Sequence, residues 1–147
     1  MSDGLHGHGT TLKVSANTAV TTATTIGNII SISGPNGTRD SIDVSTMDSS
    51  SKYREFIPGM LDAGEFTAEL NYDGGASGTA NDLQSLKTNA AQYYHITFPD
   101  HTTEASKSDI YCQGFVTALG HAIPYEGKVT QSLTVKLTGA PVYTDAG

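Results

Sequence analysis

Polar and apolar residues alternate without interruption from Glu65 to Tyr72. Phe66, Ala68, Leu70 and Tyr72 fall on one face, and Glu65, Thr67, Glu69 and Asn71 on the other. A period of two marks a strand with one buried side. The same period appears in residues 40–45, with Ile42 and Val44 opposed to Ser41, Asp43 and Ser45. It returns in residues 128–138, where Val129, Leu133, Val135 and Leu137 oppose Thr134 and Lys136. Residues 26–33 are strongly β-branched: Ile26, Ile30 and Ile32 suit one face and Ile29 the other, so a strand covered on both sides is expected. Further strands are predicted at 10–14, at 93–98 up to Pro99, and at 109–119, with 109–119 and 128–138 the longest. Residues 16–25 predict a loop or an irregular edge strand.

Between the strands, Gly34-Pro35-Asn36-Gly37 reads as a chain reversal that pairs 26–33 with 40–45, because Pro presets one turn position and Asn-Gly supplies positive φ. One helix is predicted, at 79–89. Thr79 can cap it with Asp82 three residues on, Leu83 and Leu86 form its apolar stripe, and Lys87 sits where the helix dipole favours a cation. Many short strands and one flanking helix predict a mainly β fold, an antiparallel β-sandwich or barrel.

Residues 46–64 read as a loop that is long for such a fold. It carries Met47, Tyr53, Phe56, Ile57, Met60 and Leu61, too many large apolar groups for a disordered tract. Such a loop must bury them, and a partner surface is a natural place.

Composition agrees with strands. The chain has 147 residues, 20 Thr, 14 Ser and 16 Gly, with only 16% charged residues. That length predicts one domain, with polar, Gly-rich arms at 1–9 and 139–147. The net charge of -7 argues against a protein that grips nucleic acid by its phosphates and against one drawn to an anionic membrane. No targeting segment and no apolar run of membrane-spanning length stands out.

The templates of common enzymes are missing: there is no Gly-x-Ser-x-Gly, His-Glu-x-x-His, P-loop or Gly-x-Gly-x-x-Gly. His6 and His8 offer two metal ligands, but in a pliable terminus they lack a third. His95, His101 and His121 lie in three separate segments and read as surface or strand histidines. Glu65 and Glu69 share a strand face about 13 Å apart, beyond the reach of a glycosidase pair at roughly 5–9.5 Å. Asn71-x-Asp73-Gly74 lacks the closing Glu of a calcium loop, and Asn36-Gly37-Thr38 reads as a turn. The lone cysteine, Cys112, reads as a buried inert thiol. No catalytic residue, metal or cofactor is expected.

Several runs together resemble a known family. They are Ile32-Ser33-Gly34-Pro35, Thr38-Arg39-Asp40-Ser41-Ile42-Asp43-Val44-Ser45-Thr46-Met47-Asp48, and Tyr53-Arg54-Glu55-Phe56-Ile57-Pro58-Gly59-Met60-Leu61-Asp62-Ala63-Gly64-Glu65. Leu70-Asn71-Tyr72-Asp73, Pro124-Tyr125-Glu126-Gly127-Lys128-Val129-Thr130 and Leu137-Thr138-Gly139 follow in order. This ordered set is similar to the major tail tube proteins of long non-contractile-tailed phages over most of residues 9–143. Their fold is shared with the tube protein of type VI secretion systems.

The resemblance implies a non-enzymatic virion protein, assembled in the host cytoplasm into stacked six-membered rings. The hollow tube conducts genome DNA without binding it specifically. The implied partners are other copies of the chain, a tape-measure protein, and tail terminator and tip proteins. Met47, Tyr53, Arg54, Phe56, Ile57 and Met60 are then expected to make ring-to-ring contacts. Asp43, Glu65 and Glu69 are expected to line the bore, on the premise that strands 40–45 and 65–72 pair as one hairpin and that the helix lies outside. Two other readings stay open: the tube of a secretion system or gene-transfer particle, and a monomeric acidic sandwich that acts as an enzyme or binds carbohydrate.

Overall fold

The computed structural model describes residues 4–18, 23–48, 50–72 and 86–146. Among them run nine strands: β1 (Thr11–Ser15), β2 (Thr24–Ile26), β3 (Ile29–Ser33), β4 (Thr38–Asp43), β5 (Phe56–Asp62), β6 (Glu65–Asn71), β7 (Gln92–Thr97), β8 (Asp109–Ala122) and β9 (Thr130–Thr144). Seven form one sheet in the order β2-β1-β7-β8-β9-β6-β3, and β4 and β5 form a separate two-stranded ribbon. All pairings are antiparallel. The expected mainly β class holds, and the sheet does not close into a barrel.

The large sheet must roll. Its two edges, β2 and β3, are separated in sequence by Gly27 and Asn28 alone, a link that reaches at most about 11 Å. In a flat sheet those edges would lie about 29 Å apart, six spacings of about 4.8 Å. Contacts across the interior confirm the curl. Phe66 on β6 and Tyr94 on β7 meet edge to face with centroids 5.6 Å apart, although two strands lie between them in the sheet. Inside the roll, Leu12, Phe66, Ala68, Leu70, Leu133 and Val135 are all but sealed from solvent. Each large apolar side chain so buried contributes about 1.5–3 kcal/mol. The alternation read in residues 65–72 holds over 65–71: Phe66, Ala68 and Leu70 are buried, while Glu65, Thr67, Glu69 and Asn71 are exposed. Tyr72, read on the buried face, lies beyond the strand and is exposed.

The structure departs from the sequence reading at several points. The stretch 26–33 is two strands, broken where Asn28 takes φ 60°. The turn at 34–37 does not pair 26–33 with 40–45. Instead β3 pairs with β6, and β4 pairs with β5. The reason lies in burial. Ile29 and Ile32 pack against the core and keep β3 in the large sheet, whereas every residue of β4 is exposed. Ile42, expected in the core, is 49% exposed, and Val44 is exposed as well. The loop expected at 46–64 shrinks to residues 44–55, because Phe56–Asp62 is a strand. Residues 139–144, assigned to an arm, continue β9 to Thr144. β8 likewise runs on to Ala122. The predicted helix at 79–89 falls mostly outside the described residues; residues 86–88 are helical, and Leu86 is buried in the core.

Candidate self-assembly surfaces

The ribbon is the feature that an isolated subunit leaves unfinished. Six residues of β4 and seven of β5 project about 20 Å at about 3.3 Å per residue, and two strands alone are marginally stable in water. Large apolar groups stand on it in solvent: Ile42, Phe56, Ile57, Met60 and Leu61, with Met47 and Tyr53 at its tip. Tyr53 is 79% exposed and Phe56 53%. A concentration of exposed apolar groups of this kind is characteristic of an interaction surface.

Polar bonds close the tip. Val44 N–H donates to the Glu55 carbonyl at 2.9 Å. Glu55 N–H donates to Ser45 Oγ at 2.8 Å, and Ser45 N–H to Asp43 Oδ1 at 2.9 Å. Hydrogen bonding from Ser45, by its hydroxyl first and its backbone N–H second, holds the Asp43 carboxyl below the usual carboxylate range. Arg54 Nη1 stands 4.0 Å from Asp43 Oδ2, an exposed pair of little energetic weight. The expected contact residues Met47, Tyr53, Arg54, Phe56, Ile57 and Met60 thus share one ribbon, three of them on β5 and the other three in its tip.

The expected acidic trio divides. Asp43 pairs with Phe56 at the far end of the ribbon, while Glu65 and Glu69 lie on β6 in the large sheet. The premise of one shared hairpin face fails, because β6 takes β3 and β9 as neighbours. Glu65 and Glu69 instead belong to a polar field on the outer face of β3, β6 and β9. Glu69 is flanked by Ser31 and Ser132, Thr67 by Ser33 and Thr134, and Glu65 stands opposite Lys136. Small hydroxyls dominate this face, with two carboxylates and one ammonium.

At the ribbon's base the two chain legs nearly touch. Gly64 has φ 77°, and a Cβ there would collide with the Asn36 carbonyl oxygen. Gly34 has φ 105°, and a Cβ there would meet the Glu65 carbonyl oxygen at 2.8 Å. Both positions need glycine for its backbone and for the close approach. Asn36 N–H donates to the Glu65 carbonyl at 3.3 Å, and Leu137 N–H to the Gly64 carbonyl at 3.0 Å.

Sequence reasoning missed two features, and it left Leu61, which it read among the apolar groups of 46–64, out of the expected contact set. Ile123 and Tyr125 at the tip of the β8–β9 hairpin stand out in water, and an aromatic in a turn was the available signal. Leu61, three-quarters exposed, belongs with the ribbon set. His95 is fully buried, with Nδ1 2.9 Å from Asp109 Oδ2, and Thr97 Oγ1 donates to Asp109 Oδ1 at 3.3 Å. This cluster ties β7 to β8; nothing in the spacing of His95 and Asp109 announced it. Cys112 is buried as expected, and burial pushes its thiol up to about 11. Among the described residues no group of three metal-ligating side chains gathers, and no helix is long and apolar enough to cross a membrane.

Residues 7–144 match the model of the lambda phage tail tube protein family. No individually curated protein matches the chain. Among solved structures, the tail of an empty gene transfer agent particle, refined with C6 symmetry, is similar at a TM-score of 0.69 and 16% identity, covering 96% of this chain and 99% of the other. The sheath-tube complex of an extracellular contractile injection system in its extended state has a TM-score of 0.72 at 12% identity, covering 98% and 93%. The tail tube of SPP1 has a TM-score of 0.69 at 10% identity, covering 97% and 80%.

Proposed function

Because this chain belongs to the lambda phage tail tube protein family, a structural component of the virion tail, we propose how its surfaces build the tube. Six copies close into a ring, and rings stack through the β4–β5 ribbon into a hollow cylinder. The sixfold order is that of the similar gene transfer agent tail. The observation that carries the stacking is the ribbon itself, a projecting, exposed, apolar element that a lone subunit cannot cover.

The outer face of β3, β6 and β9 lines the bore. Its Ser and Thr hydroxyls with Glu65 and Glu69 offer a passing genome a wetted wall of negative charge. Such a wall repels phosphates and holds no strand in place, so DNA slides rather than binds. Asp43 leaves this set and serves the ribbon tip. The subunit needs no catalytic group or cofactor for this work, and its further partners are a tape-measure protein inside the bore and terminator and tip proteins at the ends. The likeness to a contractile injection tube keeps a secretion or gene-transfer role as a second reading with the same physics.

Electron microscopy of the purified protein, carried to an atomic map, tests both parts. Hollow tubes of stacked sixfold rings with Glu65 and Glu69 at the bore are expected. A protein that stays monomeric at all concentrations, or a map with those carboxylates on the outer wall, overturns the corresponding part. Glu65→Lys with Glu69→Lys should still assemble and should retain DNA in a salt-sensitive way.

A further inference from the structure

Packing alone does not hold the ribbon at its angle. Between its base and the last part of β9 lies an open cleft of about 580 Å³, lined by Thr38, Arg39, Leu61, Ala63, Ala140 and Pro141 among others. The ribbon is therefore an arm standing off the body, and its direction depends on what joins it at the root. Among the described residues two attachments stand there. The first is the backbone crossing at Gly64 and Asn36, with the bonds to Glu65 and Leu137 described above. The second is an ion pair: Lys136 Nζ donates to Asp62 Oδ1 at 3.1 Å and to Oδ2 at 3.4 Å. Asp62 is the last residue of β5, and Lys136 lies within β9. Of the ion pairs between described residues, this is the one that spans ribbon and sheet.

We propose that Lys136 and Asp62 form a strut that sets the angle of the β4–β5 ribbon, with the Gly64–Asn36 crossing as its pivot. Asp62 stands two residues up the arm from the pivot, about 7 Å along an extended chain. One fixed crossing leaves an arm free to swing, and a second fixed point removes that freedom. Asp62 is itself oriented, because its Oδ1 accepts the Gly64 N–H at 2.8 Å. The carboxylate therefore faces Lys136 before the ammonium arrives. Lys136 also has Glu65 as its cross-strand neighbour, yet its ammonium is drawn to Asp62. The inference rests on the reading that the ribbon makes ring-to-ring contacts, since a set angle matters only if the ribbon must meet a neighbour. Lys136 is then a positioning residue for assembly. It acts at the root while the apolar groups act at the tip.

The test measures angle and assembly separately. Spin labels are placed in the unassembled full chain by Ser51→Cys at the tip and Ala118→Cys on β8 of the body; buried Cys112 escapes labelling. The natural chain should give one narrow distance distribution at low salt. It should broaden in ~1 M salt, where the screening length is about 3 Å. Lys136→Met keeps the stem and loses the charge, and should broaden the distribution at every salt concentration with an unchanged melting temperature. Lys136→Arg should restore the narrow form, and Glu65→Gln should leave it narrow. A Lys136→Met chain with a distribution as narrow as the natural one overturns the strut. Assembly of the unlabelled variants is read by sedimentation. A broadened ribbon with slowed tube growth supports strut and stacking together. A broadened ribbon with normal growth keeps the strut and removes the ribbon from ring contacts.

Discussion

Truncating Phe56 offers the sharpest test of ring stacking, because symmetry multiplies its effect. A large aromatic buries about 150–250 Å² when fully covered. Phe56 is 53% exposed in the subunit, so about 100 Å² remains for a neighbour to cover. At ~25 cal/mol per Å² that area is worth at most about 2.5 kcal/mol, and about 1.5 kcal/mol is a reasonable share for one anchor in an interface. In the proposed ring every junction between rings contains the contact six times, so Phe56→Ala removes ~9 kcal/mol per junction. At tenfold per 1.4 kcal/mol this weakens stacking by about six orders of magnitude. The subunit itself should hardly notice, since Phe56 lies outside the buried core cluster. The assay is sedimentation across a concentration series, paired with a thermal melt of the subunit. The expected result is a folded protein with unchanged melting that forms no tubes at concentrations where the natural chain is fully assembled. If Phe56→Ala polymerises at nearly the natural critical concentration, the ribbon does not carry the junction and the reasoning fails.

The ribbon's root supplies a second prediction. Gly64→Ala adds left-handed strain of about 1–2 kcal/mol and a collision with the Asn36 carbonyl, so its melting midpoint should drop by about 5 °C or more. Gly37→Ala, whose Cβ would find its nearest atom at 3.6 Å, should melt like the natural chain. Equal melting of the two variants would remove the crossing as a structural constraint. Alkaline pH gives a third. Burial pushes the Tyr94 hydroxyl up to about 12 and the Cys112 thiol up to about 11, from ordinary values of 10.0 and 9.0. The unfolded chain therefore ionises first. Stability from these groups is complete below pH 9 and fades as pH rises through 11 to 12. Melting curves between pH 7 and 12 should fall from about pH 9, and Cys112→Ala should soften the first part of that fall; a midpoint level up to pH 12 would refute it.

What the sequence determined by itself were the elements with one dry and one wet face. In β6 and β9 the side-chain period of two is set by burial against the same core, so Phe66, Ala68, Leu133 and Val135 could be read directly. The family resemblance was legible too, because it rests on ordered runs of residues rather than on contacts, and so was the presence of unburied apolar groups between residues 46 and 64. The tertiary structure alone decided partnership. Residues 40–45 alternate as cleanly as any strand, yet Ile42 faces water, because the pattern records chemistry and not what lies opposite. Phe56–Asp62 hid as a loop because Pro58 and Gly59 punctuate it, and its pairing with β4 reaches back to Thr38, beyond any local signal. The bond from His95 to Asp109 and the strut from Asp62 to Lys136 arise only when strands distant in sequence become neighbours. Periodicity is local and pairing is not. The chain therefore declared which groups needed burial, and the rolled sheet determined which of them it could cover and which it left for another copy.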